Sequence, residues 1–369
     1  MENLIFRNLF LNDNLDQIRI AFVIDKGVYN THANLEAQIK VYTKTAGIRT
    51  AAPPLIVAGG EQAKNSTKEF DKTLALINDA KLNRHSYLIA IGGGAILDMV
   101  GFAAAVGHRG IRHIRIPTTI LSQNDSGVGV KNGVNYFGKK NFLGSFSPPV
   151  AVVNDLTFLN TLDNRDWISG TAEAVKIAMI KDKLFFEWLE ENAITIRNRN
   201  IDKMRKLIFD CAKLHCLHIS YGNDPFEFGS SRPLDFRHWA AHKLEQLTDF
   251  ELRHCEAVAI GIALDTVYAL LIGLLDEESC NRSLNVLTNF GFDLFHSKLL
   301  NQDELSLNPK IINGLEEFRE HLGGDLTITL IEKLGHGVNV HNMDNLIIQK
   351  AALILKKKYR AISKESIPK

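Results

Sequence analysis

Short apolar segments alternate with amphipathic segments over roughly the first 150 residues of the chain. Runs rich in β-branched residues predict five buried strands, at 18–24, 55–58, 87–91, 111–116 and 150–153. Most of these runs end in glycine or polar residues, and helical stretches separate them, which is typical of a parallel sheet. Because ligands bind such sheets at the carboxyl ends of the strands, we predict a ligand site at that edge.

The pattern changes after about residue 156. Helical periodicity and good helix formers dominate, and they predict helices at 169–192, 201–220, 240–247 and 257–275. The one further strand-like run lies at 326–331. We therefore predict an α/β domain with a parallel, Rossmann-like sheet over 1–155, followed by a mostly α-helical domain over 156–369.

Composition supports two domains and limits the partners. A chain of 369 residues exceeds one comfortable hydrophobic core. Its 43 Lys and Arg balance 42 Asp and Glu, so no overall field recruits nucleic acid or an anionic membrane. The four cysteines form no paired framework, and we see neither a signal peptide nor an apolar run of about 18 residues. We expect a cytoplasmic protein.

Three consecutive glycines, Gly92 to Gly94, follow the third predicted strand. They let backbone approach a ligand closely, and a helix starting near Ala95 would offer its N-terminus to a pyrophosphate. A tight turn without a ligand is an equally good interpretation of the glycines alone. Asp98, one turn into the helix, favours a ligand because its carboxylate can bind a ribose or substrate hydroxyl.

Residues 117–144 are polar, cationic and rich in glycine, which predicts a long loop. Loops of this length inside a compact domain are usually functional, although a solvated surface loop would have the same composition. Lysines here could neutralise a phosphate.

A set of possible metal ligands lies in the predicted helical domain: Glu173, His238 and His254. One carboxylate and two imidazoles suit zinc and leave a coordination position open for water or substrate. With 13 histidines in the chain, these three residues alone are a weak signal.

Several motifs, in order, resemble dehydroquinate synthase and its relatives, the sugar phosphate cyclases. They are GGGAILDMVGFAAA, RGIRHIRIPTTILSQNDSGVGVK, GKKN, GTAEAVK, FRHWAAH and HCEAVAIG, within a match from about residue 25 to 330. In that family NAD oxidises one hydroxyl of a sugar phosphate, phosphate is eliminated, the ketone is reduced again, and the opened chain closes by an intramolecular aldol reaction.

The resemblance implies a role for particular residues. It makes Glu173, His238 and His254 the ligands of a divalent metal, with zinc expected and cobalt possible. It implies substrate contacts by Asp125, Lys131, Asn141, Lys176 and His242, and by Arg109 from the partner subunit of a homodimer. The NAD pocket would comprise Asp25, Glu61, Lys64, Gly93, Gly94, Asp98, Thr118, Thr119, Lys140, Phe158 and Thr161.

Departures from the dehydroquinate synthase pattern concern the substrate. Asp235 replaces an asparagine, and His321 lies near the position of an expected phosphate-binding lysine. No lysine occurs over 216–236, where one near Leu217 and His218 would bind a carboxylate. These features, with the retained His242, resemble sedoheptulose 7-phosphate cyclases, in particular 2-epi-valiolone synthase-like members. A buried lysine without its carboxylate would be costly, so its absence fits a heptulose phosphate without a carboxylate.

Two substitutions beside the histidines leave other functions open. Arg237 and Cys255 stand where the family has glycines. The alternatives are 3-dehydroquinate synthase itself, a metal-dependent polyol dehydrogenase, and a catalytically degenerate homologue that binds NAD. The lysine-rich GKKN element argues against the dehydrogenase, since a simple polyol has no phosphate.

Overall fold

The computed structural model describes residues 18–137, 139–222, 238–321 and 326–365, without the side chains of His238, His321 and 359–365. The chain divides into two compact units, Met1–Leu162 and Asp163–Lys369. The first is built around a parallel sheet and the second is rich in helices, as the hydrophobic pattern predicts.

The described residues of the first unit form seven strands. They are β1 (Ile20–Asp25), β2 (Leu55–Val57), β3 (Tyr87–Gly92), β4 (Arg112–Pro117), β5 (Lys131–Tyr136), β6 (Lys139–Phe146) and β7 (Ala151–Val152). Five form a parallel sheet in the order β2-β1-β3-β4-β7. These five strands lie on the five predicted segments, so the pattern of β-branched runs located the whole sheet.

Helices cover both faces of this sheet. They are α1 (Lys26–Thr31), α2 (Leu35–Thr45), α3 (Gln62–Asn65), α4 (Thr67–Asp79) and α5 (Gly94–Val106), with short 3₁₀ or π turns at Gly107–Arg109, Ser122–Ser126 and Leu156–Thr161. Side chains of α4 and α5 pack with Val23, Leu88 and Ala90 on one face. Leu35 of α2 packs with Phe22 and Ile89 on the other.

The prediction of one long loop over 117–144 is wrong for its second half. Strands β5 and β6 pair there as an antiparallel hairpin. On β5 the side chains of Asn132 and Val134 are buried, whereas β6 leaves Phe142, Leu143 and Phe146 at least 38% exposed. The hairpin escaped prediction because asparagine, lysine and glycine occupy many of its positions and conceal the alternation that marks a strand.

The second unit contains nine α-helices among its described residues, and a short 3₁₀ turn at Ser297–Leu299. The helices are α6 (Asn164–Ser169), α7 (Thr171–Lys181), α8 (Lys183–Arg197), α9 (Ile201–Tyr221), α10 (His238–Leu247), α11 (His254–Leu271), α12 (Glu277–Phe290), α13 (Pro309–His321) and α14 (Asn345–Glu365). A hairpin of β8 (Ile328–Lys333) and β9 (His336–Val340) completes the unit.

The single helix predicted over 169–192 is in fact two helices. Asp182 adopts extended backbone between α7 and α8, and its carboxylate accepts a hydrogen bond from the Phe185 backbone N–H at 3.0 Å. This is the N-cap interaction that aspartate favours, so one residue ends a helix that periodicity alone would continue.

Helix α11 is long and apolar enough to span a membrane by length and composition, which the sequence inspection did not anticipate. However, 78% of it is buried within the chain. A helix that is apolar on all sides and buried by its own protein is typical of the core of a folded domain, so length and composition here are weak evidence for a membrane span.

Candidate active site

Polar residues collect at the carboxyl edge of the parallel sheet, where a ligand site is predicted. Strand β1 ends in Asp25, which accepts a hydrogen bond from the Gly27 backbone N–H at 2.7 Å and caps α1. Burial raises the pKa of Asp25, and hydrogen bonds from the backbone of Gly27 and Val28 oppose the rise. A Cβ atom at Gly59 would lie 2.4 Å from this carboxylate, so only glycine lets Asp25 keep its place.

The glycine turn joins β3 to α5 at the same edge. Gly93 is the N-cap of α5 and has extended backbone. A Cβ atom at Gly94 would lie 2.7 Å from Ser126 Oγ, so this glycine allows the turn at Ser122–Ser126 to approach the start of α5. The predicted glycines thus serve close packing, and the N-terminus of a 13-residue helix lies at the ligand edge.

Contacts around Lys64 bring together five of the predicted site residues. The Lys64 side chain is 3% exposed, and its ammonium group lies 2.9 Å from Asp98 Oδ2 and 2.5 Å from Asn141 Oδ1. Lys140, beside Asn141 on β6, lies 3.8 Å from Glu61. A buried ammonium with carboxylate and amide partners is held firmly, so the network fixes the hairpin to the start of α5.

Asn135, on β5, reinforces this connection. Its side-chain oxygen accepts a hydrogen bond from the Asn141 backbone N–H at 2.8 Å, and its amide donates to Asn65 at 2.6 Å. Asn141 has a φ of +53°, in the left-handed region that asparagine tolerates better than most residues. The sequence placed Asn135 and Asn141 in a polar loop, whereas the structure makes them the fixed points of a hairpin.

The remaining predicted cofactor residues also follow strand ends. Thr118 is buried and donates its backbone N–H to Gly92 O at 3.0 Å, whereas the Thr119 hydroxyl lies 2.8 Å from Ser122 Oγ. Phe158 and Thr161 lie in the 3₁₀ turn after β7. There the ring of His32 packs edge-on against Phe158, with centroids 5.0 Å apart.

Arg115 organises the segment that carries Asp125 and Lys131, and sequence analysis did not identify it. This arginine on β4 is completely buried, and burial lowers the pKa of its guanidinium. The guanidinium donates hydrogen bonds to the carbonyl oxygens of Gly127, Gly129 and Lys131 at 3.0, 2.7 and 3.2 Å, and to Asn132 Oδ1 at 2.7 Å. One cation therefore fixes the chain between Asp125 in the π turn and Lys131 at the start of β5.

Arg109 lies far from the other predicted residues of this unit. It follows the C-terminus of α5, a helix of 13 residues that runs about 20 Å away from the ligand edge. It is exposed and has a φ of +62°, and it shortly precedes the first residue of β4. Arg109 is therefore at the amino edge of the sheet, opposite Asp25 and Lys64.

In the second unit, α7 presents Glu173 and Lys176 on one face, three residues apart. Both side chains are almost fully buried, at 1% and 3% exposed, and Lys176 Nζ lies 2.6 Å from Glu173 Oε2. Each oxygen of a carboxylate accepts contacts of its own, so Oε1 of Glu173 can approach a second group while Oε2 pairs with Lys176.

That second group is His254, the first residue of α11. Its Nε2 lies 3.5 Å from Glu173 Oε1. Two ligand atoms each about 2.1 Å from a tetrahedral zinc ion are about 3.4 Å apart. The spacing of these two atoms therefore fits a shared zinc ion, and the carboxylate and imidazole are donors that zinc favours.

Helix α10 brings two more groups to the same histidine. Glu245 is buried, and its Oε2 lies 3.2 Å from His254 Nδ1. The ring centroids of His242 and His254 are 5.8 Å apart. Ligand atoms of His242, Glu245 and His254 all lie within 4.8 Å of one another. Sequence analysis missed Glu245, although a carboxylate three residues after a histidine on a helix was a usable signal.

Ionic contacts hold the start of α11 in place. Arg165 donates to both carboxylate oxygens of Glu256, at 2.5 and 2.6 Å, and Arg253 pairs with Asp166. Burial raises the pKa of Glu256, but the hydrogen bonds from Arg165 and the Arg253 backbone outweigh it and lower that pKa overall. Because these contacts join α6 to the residues flanking His254, they restrict where its imidazole can lie.

Four residues singled out from the sequence have no described side chain. Asp235 and Arg237 lie outside the described residues, as do the side chains of His238 and His321. Cys255 is described and is completely buried, as a packed core residue is.

Comparison with known proteins agrees with this organisation. Family models described as 3-dehydroquinate synthase N-terminal and C-terminal match residues 54–169 and 170–308. Fold and sequence define an enzyme of the sugar phosphate cyclase superfamily. The chain belongs to the 3-dehydroquinate synthase family within it.

Individual relatives differ in the substrate that their names imply. The 3-dehydroquinate synthase of Dictyoglomus thermophilum is 34% identical over 298 residues, which cover 80% of this chain and 81% of the relative. The 2-epi-5-epi-valiolone synthase of Streptomyces hygroscopicus subsp. jinggangensis, solved with NAD⁺ and Zn²⁺ bound, has a TM-score of 0.84 at 27% identity, covering 94% and 93% of the two chains. A 2-deoxy-scyllo-inosose synthase, complexed with carbaglucose-6-phosphate, NAD⁺ and Co²⁺, has a TM-score of 0.76 at 21% identity, covering 94% and 93%, and shares the fold.

Proposed function

We propose that this protein is an NAD- and metal-dependent sugar phosphate cyclase that converts a heptulose phosphate, preferably sedoheptulose 7-phosphate, into a carbocycle. The observation that supports it most is the buried Glu173 carboxylate, with Lys176 on one oxygen and His254 Nε2 3.5 Å from the other. Such a carboxylate and imidazole can hold a divalent ion next to an ammonium group.

The first unit provides the groups for NAD. Asp25, Glu61, Lys64 and Asp98 offer carboxylates and a cation at the strand ends, where nucleotides bind α/β sheets. The remaining members of this proposed pocket are Gly93, Gly94, Thr118, Thr119, Lys140, Phe158 and Thr161. When bound, NAD would accept a hydride from one substrate carbon and return it later in the same turnover, so that none is consumed.

The metal would be held by Glu173, His238 and His254, with zinc favoured and cobalt possible. Bound there, it would polarise a substrate hydroxyl and ease loss of its proton. Lys176 lies beside Glu173 and would bind the hydroxyls at the oxidised carbon together with Asp125. Asp235 and His321 remain proposed substrate residues from the sequence alone.

The phosphate would be bound by Lys131, Asn141 and His242, together with Arg109. Cations at that position stabilise the negative charge that develops as phosphate leaves. Arg109 lies at the amino edge of its own sheet, so we propose that it reaches the site of a partner subunit in a homodimer. Mixing inactive R109A and E173A variants should then restore part of the activity, since some mixed dimers would contain one complete site.

The preference for a substrate without a carboxylate rests on the absence of a carboxylate-binding lysine. No lysine occurs over residues 216–236, the segment around and after Leu217 and His218 in which a carboxylate-binding lysine is expected. The second candidate is 3-dehydroquinate synthase, a function favoured by the name of the 34% identical relative. The two differ in whether the substrate carries a carboxylate.

Incubation with NAD, zinc or cobalt and a panel of sugar phosphates, followed by measurement of released phosphate and product mass, tests the proposal. We expect release from sedoheptulose 7-phosphate and none from an E173Q variant, the matched control. Turnover of the dehydroquinate precursor alone would instead establish the second candidate. Net accumulation of reduced NAD would indicate a polyol dehydrogenase, and a purified protein with no affinity for zinc would indicate a degenerate homologue.

A further inference from the structure

We infer that Glu245 is a positioning residue for His254: its carboxylate accepts the Nδ1–H of that imidazole and so directs Nε2 towards Glu173. The inference rests on the proposed metal site, whose set of ligands does not include Glu245. It assigns a function to a buried carboxylate that the proposed mechanism leaves unused.

The two nitrogens of His254 face different carboxylates. Nδ1 lies 3.2 Å from Glu245 Oε2, at the outer limit of hydrogen-bond distance, whereas Nε2 lies 3.5 Å from Glu173 Oε1. The side chains of Glu245 and Glu173 are 3% and 1% exposed. Because the imidazole is held between two buried groups, its ring orientation is defined on both sides.

In a neutral imidazole the two ring nitrogens have different roles, so the two contacts of His254 differ. One ring nitrogen carries a proton and the other a lone pair, and the partner of the first decides which is which. A carboxylate on Nδ1 selects the N–H there and leaves the lone pair on Nε2, the atom near Glu173. Metal-binding histidines commonly donate their second N–H to a carboxylate, which fixes the ring and makes the ligand more basic.

Glu245 could instead be a ligand, since its oxygen belongs to the cluster with His242 and His254. The distances favour the positioning role. Glu245 approaches Nδ1, while the spacing that fits a shared zinc ion involves Nε2 and Glu173. A metal bound to Nε2 leaves Nδ1 protonated and in need of an acceptor, and Glu245 is the buried acceptor on that side.

The position of Glu245 is itself held by packing. It lies on α10, seven residues after His238 and three after His242, so the three positions share one helical face. Trp239 Nε1 donates to Asp265 Oδ1 at 3.2 Å, which ties the first turn of α10 to α11. The two helices therefore keep Glu245 and His254 in register.

Zinc affinity of purified Glu245→Gln, Glu245→Ala and Glu173→Ala variants tests the inference, measured by competition with a chromophoric chelator. We expect Glu245→Gln to lower the affinity for zinc about tenfold and Glu245→Ala to lower it up to about a hundredfold. Removing the hydrogen-bond partner of a metal-binding histidine has effects of this size in other proteins. Glu317→Gln is the matched control. It removes an exposed carboxylate of α13 that lies 2.5 Å from Lys243, a residue on the same helix as Glu245. It should leave zinc affinity unchanged.

The absorption spectrum of the cobalt-loaded protein separates a positioning residue from a ligand. In the Glu245 variants the visible bands should keep their wild-type shape, because the ligand set is intact, whereas Glu173→Ala should change them. If Glu245→Ala alters the bands as Glu173→Ala does, Glu245 is a ligand. If zinc affinity changes less than twofold, Glu245 has no such role.

Nitrogen chemical shifts of ¹⁵N-histidine-labelled, metal-free protein provide a readout that needs no metal. The signal of His254, assigned by comparison with His254→Gln, should show a proton on Nδ1 in the wild type and a mixture of tautomers in Glu245→Ala. An unchanged tautomer would overturn the inference. Absence of zinc binding by wild type, with the Nδ1 proton present, would overturn the proposed function and leave the His254–Glu245 contact established.

Discussion

The Lys176 ammonium group lies 2.6 Å from one oxygen of Glu173, and the other oxygen of the same carboxylate lies 3.5 Å from His254 Nε2. One buried side chain thus connects a proposed substrate-binding cation to a proposed metal ligand. Stability, metal affinity and substrate binding should therefore respond together when either partner of Glu173 is changed.

Replacing Lys176 by methionine leaves the Glu173 charge buried without its ammonium partner. Removing one member of a buried pair typically costs about 3–5 kcal/mol, so we expect the metal-free variant to unfold at markedly lower urea concentration. Zinc should restore part of this loss because a cation then faces Glu173 again. Thermal melts with and without zinc would show a larger zinc-dependent rise than in wild type. The exposed Lys181 on the same helix is the control, and an equal rise in Lys181→Met and Lys176→Met would contradict the prediction.

Neighbouring glycines offer a matched pair for testing the Asp25 pocket. Alanine at Gly59 would place Cβ 2.4 Å from the Asp25 carboxylate and displace it, whereas Gly60, with a φ of +71°, has no atom within 4 Å of such a Cβ. We expect Gly59→Ala to lower the affinity for NAD at least tenfold, as measured by calorimetric titration. Gly60→Ala should cost about 1–2 kcal/mol of stability through backbone strain and leave NAD affinity near wild type. Equal NAD affinities would show that Asp25 does not contribute.

Substitution of Arg115 should disturb the segment between Asp125 and Lys131. Arg115→Met leaves buried carbonyl oxygens without donors, each costing about 1–3 kcal/mol, so we expect a clear fall in the free energy of unfolding and a higher KM for the phosphorylated substrate. Arg112→Met on the same strand, where the guanidinium bonds the Tyr87 hydroxyl at 2.8 Å, should have the smaller effect on KM. A wild-type KM in Arg115→Met would refute this role.

His113 should make the protein sensitive to mild acid. Burial, assisted by the nearby Arg115 charge, lowers its pKa to about 3. Between pH 6.5 and about 3 the unfolded chain therefore binds a proton that the folded chain does not, so stability falls as pH falls, by up to ~1.4 kcal/mol per pH unit. In urea titrations from pH 7 to 4.5, His113→Gln should lose stability less steeply than wild type. The exposed His85→Gln variant should follow wild type, and parallel curves for all three proteins would contradict the assignment.

The parallel sheet could be predicted because its strands are buried on both faces and are therefore nearly continuous apolar runs. The hairpin of β5 and β6 could not, since Asn132 is buried through hydrogen bonds rather than apolar contact. Asp182 shows the same limit in helices, because one capping carboxylate outweighs the periodicity around it.

The sequence indicated which types of residue the candidate site contains, but not which of them form hydrogen bonds with one another. The family resemblance implied Lys64 and Asn141 as site residues, but their direct hydrogen bond joins residues 77 positions apart, and nothing in their spacing predicts it. Arg115 was overlooked because it occurs within an apolar run, although a charged residue inside a buried strand is itself a sign of a fixed polar network.

Strand β6 affects how the protein can be handled. Its eight residues include Phe142, Leu143 and Phe146, all at least 38% exposed, and Phe137 just before it is 78% exposed. Exposed apolar strands of this length are templates for sheet growth between molecules. In concentrated solution we therefore expect precipitation to begin at this hairpin, and lysine substitutions there that spare Asn141 should raise the solubility limit.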